Sequence, residues 1–309
     1  IEHRPPKPGV ARSNRARVIQ ISTGRGHSRC LYYSRGSLQP SLFARDFTRS
    51  NTLSCWQCSM SGHNNDGGAL SDPRSDSEIT ESENTETWVI GDVHGCHETL
   101  QRMLEEIRRD AGSARYLFVG DLVGKGRESL AVMETVHALG DAAQVILGNH
   151  DLHLLARYHD HAVARANDGL DAALADTLSW NWPEWLASRP LARLESSDAY
   201  RSHLITHAGV HPDWSVPEVL ERAEHLSIRI QSSDWAWYQD DSCHDSFTAA
   251  VLTRIRGVRH DNSLADGMTG PPDSFPEDVT PWFEVAGRKT EDDATISGHW
   301  ASLGLHRHR

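Results

Sequence analysis

Five short apolar runs, each closed by a glycine-containing turn that carries polar side chains, constrain this chain more than any other feature. Thr87-Trp-Val-Ile90 stops at Gly91-Asp92, Tyr116-Leu-Phe-Val119 at Gly120-Asp121, and Val145-Ile-Leu147 at Gly148-Asn149-His150-Asp151. Further on, Leu204-Ile-Thr206 stops at His207-Ala-Gly209, and Thr295-Ile-Ser297 at Gly298-His299-Trp300. Runs of about four apolar residues are too short for helices, and bounded this way they read as buried strands. Helical spacing fills the early gaps. Leu100, Met103, Leu104 and Ile107 fall at i, i+3, i+4 and i+7 before Gly112, and Leu130, Met133 and Val136 lie within Glu128–Leu139 before Gly140. Strands alternating with helices predict an α/β fold with a largely parallel or mixed sheet. Ligands gather beyond the carboxyl ends of such strands, which is where every polar residue named above falls.

Order is expected over residues 86–309. Before that, residues 1–50 are dominated by arginine, with only Glu2 and Asp46 opposing, whereas Asp66, Asp72, Asp76, Glu78, Glu81, Glu83 and Glu86 then face Arg74 alone. With Ser, Asn and Gly between and little apolar periodicity, residues 1–85 predict a disordered or spurious N-terminal extension. Its Arg- and Ser-rich, acid-poor start has the composition of an organellar transit peptide, although the chain opens on Ile1. Cys55-Trp-Gln-Cys58 with His63 approaches a zinc-knuckle spacing, but Gly68 stands where the fourth ligand belongs, so no zinc site is expected there.

A formal net charge of −12 argues against a general nucleic-acid binder. It leaves room for a small anionic substrate, because a local pair of metal ions overrides the global field. No apolar run approaches the roughly 20 residues a membrane span needs, so no membrane partner is expected. The five cysteines, Cys30, Cys55, Cys58, Cys96 and Cys243, are irregularly spaced. That predicts free thiols, a reducing compartment and a cytoplasmic location, with organellar import the alternative if the N-terminal segment is genuine.

Asp92 and His94 are two apart, so an extended chain would turn both toward the same side, where they can share a metal. Asp121 can bridge two metals through its two oxygens, Asn149 offers an amide oxygen, and His207 and His299 offer nitrogens. A nitrogen-and-oxygen set without thiolate suits Mn²⁺ or Co²⁺ first and Fe²⁺ or Zn²⁺ next, and excludes an iron–sulfur cluster. Two divalent ions against two carboxylates leave net positive charge. That attracts phosphate and lowers the pKa of a bound water far enough to give hydroxide near neutral pH. His150 is read as the general acid beside Asn149, with Asp151 orienting its imidazole and raising its pKa.

Longer strings carry a narrower signal: Gly148-Asn-His-Asp-Leu-His-Leu-Leu-Ala156, Trp185-Leu186 before Pro190-Leu191, and His207-Ala-Gly-Val-His-Pro-Asp-Trp214. Thr253-Arg-Ile-Arg256, Pro281-Trp-Phe283 and Gly298-His-Trp-Ala-Ser-Leu303 extend it. Over about residues 87 to 303 the sequence resembles the calcineurin-like metallophosphoesterases, and within them the symmetrical bis(5′-nucleosyl)-tetraphosphatases. The resemblance implies a four-layer α/β/β/α sandwich with mixed sheets, and hydrolysis of diadenosine tetraphosphate and related dinucleoside polyphosphates to two nucleoside diphosphates. It also implies two divalent ions on Asp92, His94, Asp121, Asn149, His207 and His299, with His150 as general acid.

Two departures stand out. Where the family has Gly-Asp-Leu-Val-x-Arg-Gly-Pro, this chain has Gly120-Asp-Leu-Val-Gly-Lys-Gly-Arg127, so Lys125 brings a point charge in place of a bidentate fork. The family also continues past Gly-His-Trp into a last strand, which is expected to be missing here because the chain stops at Arg309. Arg254 and Arg256 are candidates to grip a polyphosphate, or else surface arginines. Trp300 is a candidate to stack on a nucleobase, or else a core aromatic. His153 is expected to be solvated and Cys96 to be a small buried filler. The competing activities are a serine/threonine phosphoprotein phosphatase and removal of nucleotide caps from RNA 5′ ends. From another class, the chain would be an inactive nucleotide-binding fragment. No expectation about oligomeric state follows.

Overall fold

A computed structural model describes residues 17–22, 52–57, 86–176, 179–198 and 201–303. Its first half contains β1 (Arg17–Ser22), β2 (Thr52–Gln57), β3 (Glu86–Ile90), α1 (His97–Ala111), β4 (Ala114–Phe118), α2 (Ser129–Ala138) and β5 (Ala143–Val145). Then follow α3 (Asn149–Tyr158), α4 (Asp171–Ala175), α5 (Trp182–Ala187), β6 (Ala192–Asp198), β7 (Arg201–Thr206), α6 (Val216–Gln231) and α7 (His244–Arg254). Three short strands, β8 (Gly257–Arg259), β9 (Val279–Pro281) and β10 (Ala294–Ile296), complete the described elements.

The larger sheet has the order β2-β1-β3-β4-β5, with β1, β3, β4 and β5 parallel and β2 antiparallel to β1. β1 and β2 fall within residues 1–85, where composition leads to no ordered element; the β-branched Val18, Ile19 and Ile21 suit a pleated strand. The zinc-knuckle residues Cys58 and His63 lie outside the described residues. A second sheet has the order β10-β7-β6, with β7 antiparallel to β6 and parallel to β10, and β8 pairs with β9.

The pleat decides which residues meet. Trp88, Ile90, Tyr116 and Phe118 face the core that holds Leu100, Met103, Leu104 and Ile107 of α1 and Val132, Met133 and Val136 of α2. The alternate residues Val89 and Leu117, with Val119 and Ile146, meet Ile205 and Ile296 of the second sheet in a separate aliphatic layer. On the far side of that sheet α6 packs on β6, its Val219, Ala223, Leu226 and Ile230 buried beside Leu204. Helix, sheet, sheet, helix is the four-layer sandwich the sequence implies. Each side chain fully buried between the sheets contributes about 1.5–3 kcal/mol. That layer therefore fixes the carboxyl ends of β3, β4 and β5 against those of β7 and β10. Among the described residues no helix is long and apolar enough to cross a membrane.

Candidate metal centre

Where β3 ends, the chain turns sharply. His94 has φ 50°, and the backbone N–H groups of Val93 and His94 both donate to the Asp121 carbonyl, at 2.9 and 2.8 Å. Asp92 and His94 therefore converge through a left-handed turn rather than along an extended strand, with His94 Nε2 3.6 Å from Asp92 Oδ2. Asp121 itself has φ 51° and His299 φ 63°. Such values cost a non-glycine residue roughly 1–3 kcal/mol each and persist where the surroundings over-determine them.

Asp121 is the hub. Its Oδ1 accepts the His150 backbone N–H at 2.8 Å, while its Oδ2 lies 3.4 Å from His207 Nε2 and 3.7 Å from His94 Nε2. Two groups of side-chain donors result: His94, Asp121 and His150 in one, Asp121, His207 and His299 in the other, with ligand atoms in each within 4.8 Å of one another. Asp92 borders both, its Oδ1 accepting the His299 backbone N–H at 2.9 Å. The histidine tautomers are set from behind: His207 Nδ1 donates to Val119 O at 2.6 Å, and His94 Nδ1 to Val123 O at 3.2 Å. Each ring is thereby left with Nε2 facing the carboxylates, as a ligand histidine requires.

The polar atoms aimed into this space suit cations. Asn149 Oδ1, His207 Nε2 and His299 Nε2 are buried without a hydrogen-bond partner among the described residues, which is costly unless something charged or polar meets them. Burial alone would raise the Asp121 carboxyl and lower His207. Their mutual attraction reverses both, holding Asp121 well below the usual carboxylate range and His207 up at about 9. Asp92 is held at about 2, where burial is overcome by the bond from His94 and the charge on His207. Burial, then the cations His207 and Arg256, hold His299 down to about 3. Two carboxylates that draw a proton onto a buried histidine mark a place built for positive charge. The donors are all nitrogen and oxygen, as divalent first-row ions prefer.

Glycine is required at two of the turns. Gly120 has φ 99°, and a Cβ there would lie 2.6 Å from His207 Nδ1. Gly124 has φ 96°, and a Cβ there would run into the His150 ring, which stands edge-on to His94 at 4.7 Å. Burial pushes His150 down to about 4.

Several side chains stand elsewhere than expected. Asp151 does not reach the His150 ring. Its buried carboxylate accepts the Gly148 N–H at 2.9 Å and the Val123 N–H at 3.3 Å, joining the start of α3 to the loop after β4; burial raises it to about 7. Trp300 is a core residue: it is 5% exposed, stacks on Phe275 at 5.2 Å and 5°, and donates its indole N–H to Gly270 O at 2.9 Å. The ring is packed against its neighbours rather than presented to solvent. His153 is buried rather than solvated, and Cys96 is buried as expected. Lys125 Nζ lies 3.1 Å from His94 Nε2, on the rim of the centre. Arg256 donates to Met268 O and, at 3.5 Å, to His299 O, within the field of Asp92 and Asp121. Arg254, the last residue of α7, is exposed and joins neither ligand group.

The sandwich and its paired ligand groups define a metal-dependent phosphoesterase, and the chain belongs to the calcineurin-like phosphoesterase family, whose signature matches residues 85–302. Among its relatives is the symmetrical bis(5′-nucleosyl)-tetraphosphatase of Bordetella pertussis, 35% identical over 71% of this chain and 83% of that protein. Proteins of the same name from Paraburkholderia phymatum, 35% identical over 70% of this chain and 80% of theirs, and Pasteurella multocida, 32% over 70% and 83%, are also similar.

Proposed function

We propose that this protein hydrolyses diadenosine tetraphosphate and related dinucleoside polyphosphates at the central phosphoanhydride, releasing two nucleoside diphosphates. The observation that carries the reading is Asp121 shared between two buried ligand groups, in a chain whose relatives bear the tetraphosphatase name. Asp92, His94, Asp121, Asn149, His207 and His299 would hold the ions, Mn²⁺ or Co²⁺ being best suited to this nitrogen-and-oxygen set. Bound there, two divalent ions supply Lewis-acid charge and a hydroxide drawn from water.

The chain's own residues do the rest. Val119 and Val123 carbonyls fix the His207 and His94 rings, and Asp151 holds the turn that presents Asn149 and His150. Lys125 and Arg256 line the rim with positive charge and steady the phosphates, which is positioning plus electrostatics. His150 faces the same space and would give a proton to the departing phosphate oxygen; a polyanionic substrate raises its pKa from the low value burial imposes. The free thiols Cys96 and Cys243 suit a reducing compartment such as the cytoplasm.

Product analysis tests the reading. Protein loaded with Mn²⁺ or Co²⁺ and given diadenosine tetraphosphate yields ADP alone. Equal ATP and AMP would sink it, and a clear preference for phosphopeptides or capped RNA would replace it with one of those activities.

A further inference from the structure

Successive backbone N–H groups hold the loop after β4, each bound by a different part of the chain. Val123 N–H donates to Asp151 Oδ1 at 3.3 Å, and Gly124 N–H to Ser129 Oγ at 3.1 Å. Lys125 N–H donates to Asp168 O at 3.0 Å, and Gly126 N–H to His94 O at 2.8 Å. Asp151 and His94 belong to the centre, and Ser129 opens the helix that follows the loop. Asp168 comes from elsewhere, the connection between α3 and α4, to which the proposed chemistry gives no part.

The bond to Lys125 matters most. Lys125 has φ 53° and lies between Gly124 and Gly126, so neither neighbour has a side chain to restrict the turn. A lysine stays in this left-handed region only where its surroundings over-determine it. The stem beyond is four flexible carbons, so its direction of departure from the backbone decides where the ammonium arrives. From this backbone Nζ reaches to 3.1 Å from His94 Nε2.

Asp168 is held so that its carbonyl stays still. The residue is buried, and its two carboxylate oxygens accept from Arg157 Nη1 at 3.1 and 3.3 Å. Oδ2 also accepts the Arg165 N–H at 3.0 Å, and Oδ1 the Leu170 N–H at 3.4 Å. Arg157 lies in the last turn of α3, whose first turn presents Asn149 and His150, and its Nη2 reaches Asp171 at 2.8 Å. Next along the chain, Gly169 packs so closely on the loop that a Cβ would run into Gly126 O, and its carbonyl accepts the Ser129 hydroxyl at 3.3 Å. Helix α3 thus sets His150 at one end and, through Arg157 and Asp168, the backbone of Lys125 at the other.

We propose that Asp168 is a positioning residue: its carbonyl, locked by Arg157 and by its own loop, fixes the turn at Lys125 and aims the ammonium at the phosphate beside the metal centre. This rests on the reading of Lys125 as a phosphate contact and names the residue that directs it.

Calorimetric titration of the Mn²⁺-loaded protein with ADP, in a double-mutant cycle of Asp168→Ala and Lys125→Ala, tests it. Lys125→Ala alone weakens ADP by roughly tenfold, as expected for losing one charged contact. Asp168→Ala alone weakens it by roughly fivefold, yet by less than about twofold once Lys125 is gone, because the two act as one. A purely structural residue would cost the same in both backgrounds, and that result would overturn the proposal. Unchanged ADP affinity in either single variant would do so too. Should Asp168→Ala show no cooperative melt, the isosteric Asp168→Asn, which loses the charge facing Arg157, decides by the same outcomes with a loss of about threefold. None of these readouts needs turnover. A coupled loss in a protein that leaves diadenosine tetraphosphate intact would sink the activity and keep the positioning role, and an uncoupled loss in one that makes ADP from it would do the reverse.

Discussion

The Asp121 carboxylate and the His207 imidazole meet at 3.4 Å, Oδ2 to Nε2, while the other histidine nitrogen is tied to Val119 O at 2.6 Å. Asp121 comes from the end of β4 and His207 from the end of β7, so this contact joins the two sheets at the centre. Asp121→Asn should abolish the response of the protein to metal. In wild type the melting temperature climbs with Mn²⁺, the added stability reaching about 2.7 kcal/mol at a hundredfold excess over Kd. In the variant the curve stays flat. Equal Mn²⁺ shifts in both proteins would remove Asp121 from the ligand set.

His150→Ala separates acid from ligand. As a general acid His150 contributes about 10²–10⁴ to turnover. The variant should lose that much kcat while keeping its Mn²⁺-dependent rise in melting temperature. Loss of the metal response instead would move His150 into the ligand set beside His94 and Asp121, where its distance also fits.

His153 gives the metal-free protein a pH signature. Its folded pKa is depressed to about 4 by burial, below the ordinary value of 6.5. The unfolded chain therefore binds a proton that the folded chain refuses. The sign follows: the contribution to stability is fully present above about 6.5 and is lost as pH falls toward 4. Chemical denaturation between those limits should show wild type losing stability more steeply than His153→Gln, and parallel curves would contradict this.

Trp300 should behave as a core residue. Trp300→Ala removes the stack on Phe275 and the bond to Gly270, which predicts a loss of about 3–5 kcal/mol in denaturant. Trp300→Phe keeps most of the stack and should cost only about 1 kcal/mol, the net worth of the lost hydrogen bond. A large rise in KM with unchanged stability would return it to the substrate site.

A run such as Leu204-Ile-Thr206 makes a strand end legible, since β7 closes at Thr206 before His207, whereas β5 ends at Val145 and leaves Ile146 and Leu147 in the turn that follows. The helices α1 and α2 were legible for the same reason, their apolar spacing matching the faces they bury. The face-to-face partnering of Val89 and Leu117 with Ile205 was not legible. A strand buried on both sides reads as continuous apolar sequence and does not say which sheet covers which face. The turns at His94 and Asp121 also escaped, since a left-handed φ in an ordinary side chain leaves no compositional mark. His153 is buried rather than solvated because it packs with Tyr238, 85 residues away, and with Asp168, contacts that helical spacing does not reveal. Asp151 is adjacent to His150 in sequence, yet at the third position of a helix its carboxylate turns back to the helix start.

The bond from His299 N–H to Asp92 Oδ1 spans 207 residues of chain. During synthesis the first four candidate ligands, through Asn149, emerge well before His207 and His299. The centre is then half built, with Asp92 and Asp121 close together and no second sheet to oppose them. Under the proposed ligand set, metal capture would be a late event that reports completion, because an ion held by both halves would bind only a chain whose two sheets have closed. A molecule damaged between the sheets would lose its ions first, and with them the chemistry, before it unfolded.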